Sequence, residues 1–241
     1  MNSRTAFPVV LFDLDGTLSD FFAAARDGLE AAFGLLAGTH IRRDRFYDAY
    51  QRQFTRDRDN NDPATRLQRF ASVLKALDLD RPELAFALDA EYRRGRLRRP
   101  QPVPGAPAVL ALLSRRRRLG VVTDGPGDYQ REHLRKLGVE HFFEMVLASG
   151  DIGYSKPRVE LFAAALETMH ATAENTVMIG DNPYADLETP HSMGMKTILF
   201  TGATTWYWER TAISPFVDRI ATSFDIIPAL VAQLVEKRLS R

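Results

Sequence analysis

The stretch Phe7-Pro8-Val9-Val10-Leu11-Phe12-Asp13-Leu14-Asp15-Gly16-Thr17 joins a short apolar run to two carboxylates, a glycine and a threonine. An apolar run of this length that ends in a turn is typical of a buried strand. Asp13 and Asp15 are separated by one residue, so both would point to the same face if the strand continued, and Gly16 lets the chain turn at once. The pattern predicts two carboxylates facing one pocket, although an ordinary solvated turn could also carry it.

Similar apolar runs recur along the chain, and segments with apolar residues at helical spacing separate most of them. The runs span residues 7–12, 119–122, 145–148, 176–179, 196–200 and 216–220, and the helical segments include 106–113, 130–137, 159–169 and 226–239. This alternation predicts an α/β fold with a doubly wound, Rossmann-like parallel sheet.

Residues 21–99 differ from the rest because they show helical periodicity without a buried strand. Aromatic residues recur there at intervals of four residues, as in Phe46, Tyr50 and Phe54. The prolines of the segment Arg99-Pro100-Gln101-Pro102-Val103-Pro104-Gly105 block helix continuation and favour an extended hinge. We therefore predict an all-helical cap, residues 19–102, inserted into a catalytic core formed by residues 1–18 and 103–241.

The composition excludes several classes of protein. The 241 residues contain 32 basic and 31 acidic side chains, so we expect no nucleic-acid partner of the polyelectrolyte kind. There is no cysteine, which excludes disulfides and thiolate chemistry and makes a cytoplasmic location the simplest expectation. Neither a signal peptide nor a membrane-spanning apolar run is visible, so we expect no membrane partner.

Three further motifs follow predicted strands, where an open parallel sheet places its ligand crevice. Thr123-Asp124-Gly125 can bind an anion through its hydroxyl and backbone N–H groups, and Lys156 brings a positive charge to a helix start. Asp181 and Asp186 offer oxygen ligands of the kind that magnesium takes. Each motif alone could be a turn or a helix cap. Their order, with each one at a strand end, instead indicates one shared site.

With these motifs the chain resembles the haloacid dehalogenase superfamily, in the phosphatase branch with a helical cap after the first motif. Leu119-Gly120-Val121-Val122-Thr123-Asp124-Gly125 and Ser149-Gly150-Asp151-Ile152-Gly153-Tyr154-Ser155-Lys156-Pro157 are similar to strings in acylneuraminate phosphatases, pyrimidine nucleotidases and phosphoglycolate phosphatases. The resemblance implies a magnesium-dependent phosphatase that hydrolyses a small phosphate monoester. It also implies an aspartyl phosphate on Asp13, the nucleophile.

The resemblance further assigns roles to the other motif residues. Asp15 would protonate the leaving group and later activate water, and Thr17 would orient its side chain. Lys156 would offset negative charge, and Thr123, with Asp124 and Gly125, would contact the phosphate. The metal ligands would be Asp13, the Asp15 backbone carbonyl, Asp181 and, through water or by positioning Lys156, Asp186. Dehalogenation is not expected, because true dehalogenases of the superfamily lack the acid at the position of Asp15.

Two departures and two candidate substrate contacts accompany these assignments. Asp124 replaces the asparagine more usual in that turn, and Glu188-Thr189-Pro190 replaces a small Gly-Ala pair, which raises doubt about the helix after Asp186. Within the arginine-rich cap, Arg66 is a candidate for binding an anionic substrate group. Trp206-Tyr207-Trp208 could stack on a base, form a dimer contact or simply pack over the core. The five histidines show no paired ligand spacing and receive no chemical role.

Other functions stay open at this point. A phosphomutase of the same superfamily would use the same residues and differ in how its cap holds a bisphosphate intermediate. A catalytically silent phospho-acceptor or binding domain could keep the fold without turnover. The sequence leaves both monomer and homodimer possible.

Overall fold

The protein contains a single six-stranded parallel sheet within the residues that this computed structural model describes, which are 8–60, 68–79, 81–202 and 214–236. The strand order is β3-β2-β1-β4-β5-β6. The strands are β1 (Val9–Phe12), β2 (Arg118–Thr123), β3 (Met145–Ala148), β4 (Thr176–Gly180), β5 (Lys196–Phe200) and β6 (Arg219–Ala221). This order is that of the doubly wound α/β fold, so the predicted fold class is confirmed.

Both faces of the sheet are buried, which explains why its strands are apolar without alternation. Val10 and Phe12 of β1 pack into one core cluster, and Val9 and Leu11 pack into another. Successive side chains of a strand point to opposite faces, so each cluster lies on one face of the sheet. The central strand β1 is therefore fixed from both sides, and so is the chain that leaves its carboxyl end.

Helices connect the strands and cover the sheet. They are α5 (Ala106–Leu113), α6 (Gly127–Lys136), the short α7 (Ser149–Ile152), α8 (Val159–Thr168), a π-helix (Pro183–Leu187) followed directly by α9 (Glu188–Ser192), and α10 (Ile227–Glu236). Among the described residues, no helix combines the length and the apolar content that crossing a membrane would require.

The chain divides into two compact units. One comprises the described residues up to Phe21 together with those from Gln101 onward, and it contains the sheet. The other, Phe22–Pro100, contains helical elements in its described part. Taken with the residue that precedes this unit, the helices are α1 (Phe21–Gly34), α2 (Arg43–Asn60), α3 (Arg69–Ala76) and α4 (Glu83–Arg96). That this unit is a cap stays a prediction.

The second unit has its own core of aromatic rings. Phe70 and Tyr92 meet edge to face with ring centroids 5.6 Å apart, and Tyr50 packs against both. An ion pair joins α2 to α3, with Arg69 Nε 2.6 Å from Oδ2 of the buried Asp57. The aromatic residues that the sequence shows at helical spacing therefore form a core.

Two predicted boundaries differ from the structure for identifiable reasons. The last strand is Arg219–Ala221 and not residues 216–220, because Thr197 Oγ1 donates to the Phe216 carbonyl and Thr197 N donates to the Asp218 carboxylate. These bonds replace the regular strand pairing there. Helix α6 begins at Gly127, three residues before the predicted start at Gln130, because the apolar periodicity is absent from its first turn.

The stretches of the sheet-containing unit on either side of the second unit lie next to each other. Val103 N donates to the Leu18 carbonyl at 2.9 Å, and Asp20 N donates to the Gln101 carbonyl at 2.9 Å. Ser19 pairs with Pro102 in an antiparallel bridge. The chain thus leaves and rejoins the sheet-containing unit through two adjacent extended segments that are hydrogen-bonded to each other.

Candidate active site

The candidate site begins where the two central neighbouring strands end. Asp13 follows β1, Asp181 follows β4, and these strands pair in parallel with Phe12 opposite Ile179. The Asp13 N–H donates to the Ile179 carbonyl at 2.9 Å, which fixes the chain beyond β1. The strand order reverses between β1 and β4, and ligands of open α/β sheets bind at such a switch point. Both carboxylates are buried there.

Lys156 joins the first and last acidic motifs. Its Nζ lies 2.5 Å from Asp13 Oδ1 and 2.7 Å from Asp186 Oδ1, and all three side chains are buried. Lys156 lies in the loop before α8, far from both aspartates in the sequence. The residues that the sequence assigns to one shared site, Asp13, Lys156, Asp181 and Asp186, are therefore brought together.

The electrostatics of this cluster follow from burial and opposite charge. Burial, with the neighbouring Asp186 carboxylate, raises the pKa of Asp13 to about 7, although the Lys156 charge works in the other direction. Burial alone would lower the pKa of Lys156, but the carboxylates of Asp13 and Asp186 raise it well above its ordinary value. The two carboxylates therefore favour the charged form of Lys156 in the cluster.

The same carboxylates meet the geometric requirement for a metal ion. Asp13, Asp181 and Asp186 each offer an oxygen, and these atoms lie within 4.8 Å of one another. Asp13 Oδ2 is buried and accepts no hydrogen bond among the described residues. A buried carboxylate oxygen normally has a partner, and oxygen-only donors suit magnesium. The residues present thus fit a divalent cation of this kind.

The segment after β4 holds Asp186 in place. Asn182 Oδ1 accepts hydrogen bonds from Tyr184 N and Ala185 N and so caps the π-helix. Asp186 Oδ2 accepts a hydrogen bond from Asn182 N at 2.9 Å, while its Oδ1 faces Lys156. The turn is tight, because a Cβ atom on Gly180 would lie 2.4 Å from the Asp186 side chain.

The unusual Glu188-Thr189-Pro190 segment is accommodated by a change of helix type. The chain forms a π-helix before it and the short α9 through it, so the helix after Asp186 is not one regular α-helix. Thr189 Oγ1 donates to the Pro157 carbonyl at 2.6 Å. That bond ties α9 to the loop that carries Lys156.

The Thr123-Asp124-Gly125 motif lies beside the same loop. Thr123 ends β2 and is buried. Asp124 Oδ1 accepts a hydrogen bond from Lys156 N at 3.0 Å, and Gly125 N donates to Ser149 Oγ at 2.9 Å. Asp124 and Gly125 thus hold the loops around the site together. The predicted contacts of all three residues with phosphate stay predictions.

The turn after β1 brings backbone against Asp181. Gly16 has a φ of 90°, and a Cβ atom there would lie 2.3 Å from Asp181 Oδ2. Only glycine can adopt this conformation and permit this approach without strain. Asp15, with about a quarter of its side chain exposed, is more accessible than the buried Asp13. The first motif therefore presents one buried and one accessible carboxylate.

The surroundings of Asp15 differ from the expectation. Thr17 Oγ1 is buried and makes no hydrogen bond among the described residues, so the expected bond that orients Asp15 is not seen. His133, to which the sequence assigns no role, lies near Asp15, with Nδ1 3.8 Å from Asp15 Oδ1. The sequence feature that could have indicated a role for His133 is its position on the same helix face as Gln130 and Leu134, which is buried. Arg66, Trp206, Tyr207 and Trp208 lie outside the described residues.

The fold and the site define a doubly wound α/β protein whose buried charged residues gather at the switch point of the sheet. The chain belongs to the haloacid dehalogenase-like hydrolases, whose family model matches residues 7–194. It is 32% identical over 196 residues to the glyceraldehyde 3-phosphate phosphatase of Pyrococcus abyssi, covering 80% of each chain. It is 29% identical to the ribulose-1,5-bisphosphate 5-phosphatase of Halopiger xanaduensis, covering 88% of this chain and 90% of that one.

A solved structure has the same fold. The HAD-hydrolase YfnB of Bacillus subtilis, bound to magnesium, superposes with a TM-score of 0.77 at 23% identity, covering 93% of this chain and 98% of that one. Together with the family match, the phosphatase-named relatives confirm the predicted enzyme class, a hydrolase acting on phosphoric monoester bonds.

Proposed function

We propose that this chain is a magnesium-dependent phosphatase that hydrolyses a small phosphate monoester through an aspartyl phosphate on Asp13. The observation that carries the proposal is the contact of Lys156 Nζ with Asp13 and Asp186, next to Asp181. A nucleophilic carboxylate, a fixed cation and a set of oxygen donors in one buried cluster are what phosphoryl transfer requires.

Asp13, Asp181 and the Asp15 backbone carbonyl would hold the magnesium ion, with Asp186 acting directly or through water. When bound, the ion supplies positive charge that offsets the charge of the phosphoryl oxygens. The fit rests on the buried Asp13 Oδ2 and on the spacing of the three carboxylates.

The first half-reaction transfers the phosphoryl group to Asp13. A carboxylate oxygen of Asp13 forms a bond to phosphorus as the ester P–O bond breaks, and Asp15 gives its proton to the departing oxygen. The Lys156 charge favours the ionised form of Asp13 against the effect of burial, and it balances charge as the transferred group arrives. The Thr123 hydroxyl donates a hydrogen bond to a phosphoryl oxygen.

The second half-reaction releases phosphate. Asp15, now ionised, takes a proton from a water molecule as the water oxygen bonds to phosphorus and the bond to Asp13 breaks. Asp186 holds Lys156 in position throughout, because its Oδ1 accepts a hydrogen bond from Nζ at 2.7 Å. One accessible carboxyl group therefore serves both steps.

The names of two relatives support a narrower substrate class. Glyceraldehyde 3-phosphate and the 5-phosphate of ribulose bisphosphate are both primary alkyl phosphates of short hydroxylated carbon chains. We propose that the substrate is of this class. The helical unit Phe22–Pro100 would act as the cap that selects it, with Arg66 as a candidate contact.

The test is Asp13→Asn, assayed by magnesium-dependent hydrolysis of p-nitrophenyl phosphate. The fully exposed Asp128 provides the matched control Asp128→Asn. We expect Asp13→Asn to lose activity with its circular dichroism spectrum unchanged, while the control keeps wild-type rates. Acid-quenched wild-type enzyme should carry a phosphoryl group on Asp13 in mass spectra. Activity retained in Asp13→Asn would overturn the proposal.

A further inference from the structure

His133 is a polar ring enclosed in the sheet-containing unit. It lies on α6, its side chain is fully buried, and it meets the Tyr129 ring at a centroid distance of 6.3 Å. Burial of a polar group costs free energy unless the group is hydrogen-bonded. An apolar side chain at this position would avoid that cost, so the contacts of the ring call for an explanation.

Those contacts link the ring to two residues of the first motif region. His133 Nε2 lies 3.0 Å from Ser19 Oγ, and Nδ1 lies 3.8 Å from Asp15 Oδ1. A lone pair on Nδ1 would be repelled by the carboxylate, so the favoured neutral tautomer carries its proton on Nδ1. Nε2 then accepts the Ser19 hydroxyl proton, and the protonated Nδ1 lies 3.8 Å from Asp15 Oδ1, beyond direct hydrogen-bond distance.

Ser19 is a rigid anchor for the ring. It is fully buried, its N–H donates to the Leu14 carbonyl at 2.9 Å, and its carbonyl accepts a hydrogen bond from Gly16 N at 3.0 Å. These bonds close the loop that contains Asp15. The ring is thereby fixed relative to the same loop whose carboxylate it faces.

We propose that His133 is a positioning residue for Asp15, holding its carboxyl group in the orientation that delivers a proton to the leaving oxygen. The proposal rests on the proposed function, since it concerns the acid of that reaction. His133 itself lies too deeply buried to contact substrate. Asp15, the more exposed member of the pair, is accessible to it.

This role makes a prediction that a purely structural role does not. An alkoxide is a poor leaving group and needs a proton as it departs, whereas p-nitrophenolate leaves without one. A misplaced Asp15 should therefore slow the hydrolysis of alkyl phosphate esters and leave that of the aryl ester nearly unchanged. The quantity to compare is kcat/KM, because it reports the steps up to departure of the leaving group, before Asp15 is needed again as a base.

The experiment compares His133→Phe and His133→Gln with His141→Phe, a substitution of an exposed histidine in the same unit. We expect His133→Phe to lower kcat/KM for glyceraldehyde 3-phosphate about 100-fold and that for p-nitrophenyl phosphate less than about fivefold. His133→Gln keeps a hydrogen-bond donor, so its kcat/KM for glyceraldehyde 3-phosphate should be about tenfold higher than that of His133→Phe. The control should match wild type for both esters.

Ser19→Ala provides a second variant in case the phenylalanine protein does not fold. It removes the bond that orients the ring, and a selective loss of about tenfold on the alkyl ester is expected. Equal loss on both esters, or no loss on either, in a folded variant would overturn the inference and leave the proposed function standing. A wild-type protein that hydrolyses neither ester would overturn both.

Discussion

Replacement of Lys156 by methionine tests the charge balance of the site directly. The substitution keeps the length of the side chain but removes the ammonium group that lies 2.5 Å from Asp13 Oδ1 and 2.7 Å from Asp186 Oδ1. Asp13, Asp181 and Asp186 then remain as carboxylates within 4.8 Å of one another without that charge.

Removal of one partner from a buried ion pair costs about 3–5 kcal/mol, because an uncompensated buried charge is left behind. We expect the free energy of unfolding of the metal-free variant to fall by about that amount at pH 8. The loss should shrink towards pH 5, where the carboxylates can take up protons. Lys156 has its pKa raised, so it stays charged across this window and the change with pH comes from its carboxylate partners; Lys156 itself loses its charge only at higher pH.

Urea unfolding in EDTA, followed by circular dichroism, measures the difference, and magnesium should restore part of the loss. The control is Lys136→Met, because Lys136 Nζ forms an exposed pair with Glu132 at 3.3 Å that contributes at most about 1 kcal/mol. A loss below about 1 kcal/mol for Lys156→Met, or an equal loss at pH 5 and pH 8, would refute the reasoning.

Three further predictions concern the metal site. Asp181→Asn should raise the magnesium concentration for half-maximal activity at least about tenfold. Magnesium titrations of the activity measure this, with Asp128→Asn as the control. Gly16→Ala should weaken magnesium binding, because its Cβ would lie 2.3 Å from Asp181 Oδ2, whereas Gly138→Ala, with a φ of 73° and open space around it, carries only the backbone strain. The metal-free protein should lose up to about 4 kcal/mol of stability between pH 4 and pH 7, because the folded state keeps Asp13 protonated up to a pKa of about 7, and Asp13→Asn should flatten this profile in urea titrations.

Each of these has a contrary outcome. An unchanged magnesium requirement in Asp181→Asn would remove that carboxylate from the ligand set. Equal magnesium affinities for the two glycine variants would show that the approach of Gly16 to Asp181 is unimportant. A wild-type stability that is flat or rises between pH 4 and pH 7 would contradict the raised pKa of Asp13.

The sheet and the main site residues could be predicted because both depend on local pattern. Parallel strands with two covered faces must be apolar throughout, and their carboxyl ends meet at one edge. Residues at the carboxyl end of a strand, such as Thr123, which ends β2, and Asp13 and Asp181, which directly follow β1 and β4, are therefore placed by topology alone. Lys156 comes after a short helix and not directly after its strand. Its place in the site could therefore be predicted only from the order of the motifs along the chain.

His133 could not be placed in this way. It lies in the middle of a helix, ten residues after the end of β2, and a histidine at that spacing is compatible with any packing role. Its meaning depends on the loop around Ser19, which is distant in sequence and is shaped by backbone hydrogen bonds. The position of β6 was missed for a related reason, because Thr197 and Asp218 replace strand pairing with side-chain bonds.

The paired backbone at Leu18–Val103 and Asp20–Gln101 makes the helical insertion exchangeable. The loop closure cost of an insertion grows only slowly with its length, and here its two ends are already held together. Lineages could therefore swap, lengthen or trim the intervening residues while the reactive carboxylates keep their places. If the insertion selects the substrate, substrate preference could then change in evolution independently of the catalytic residues.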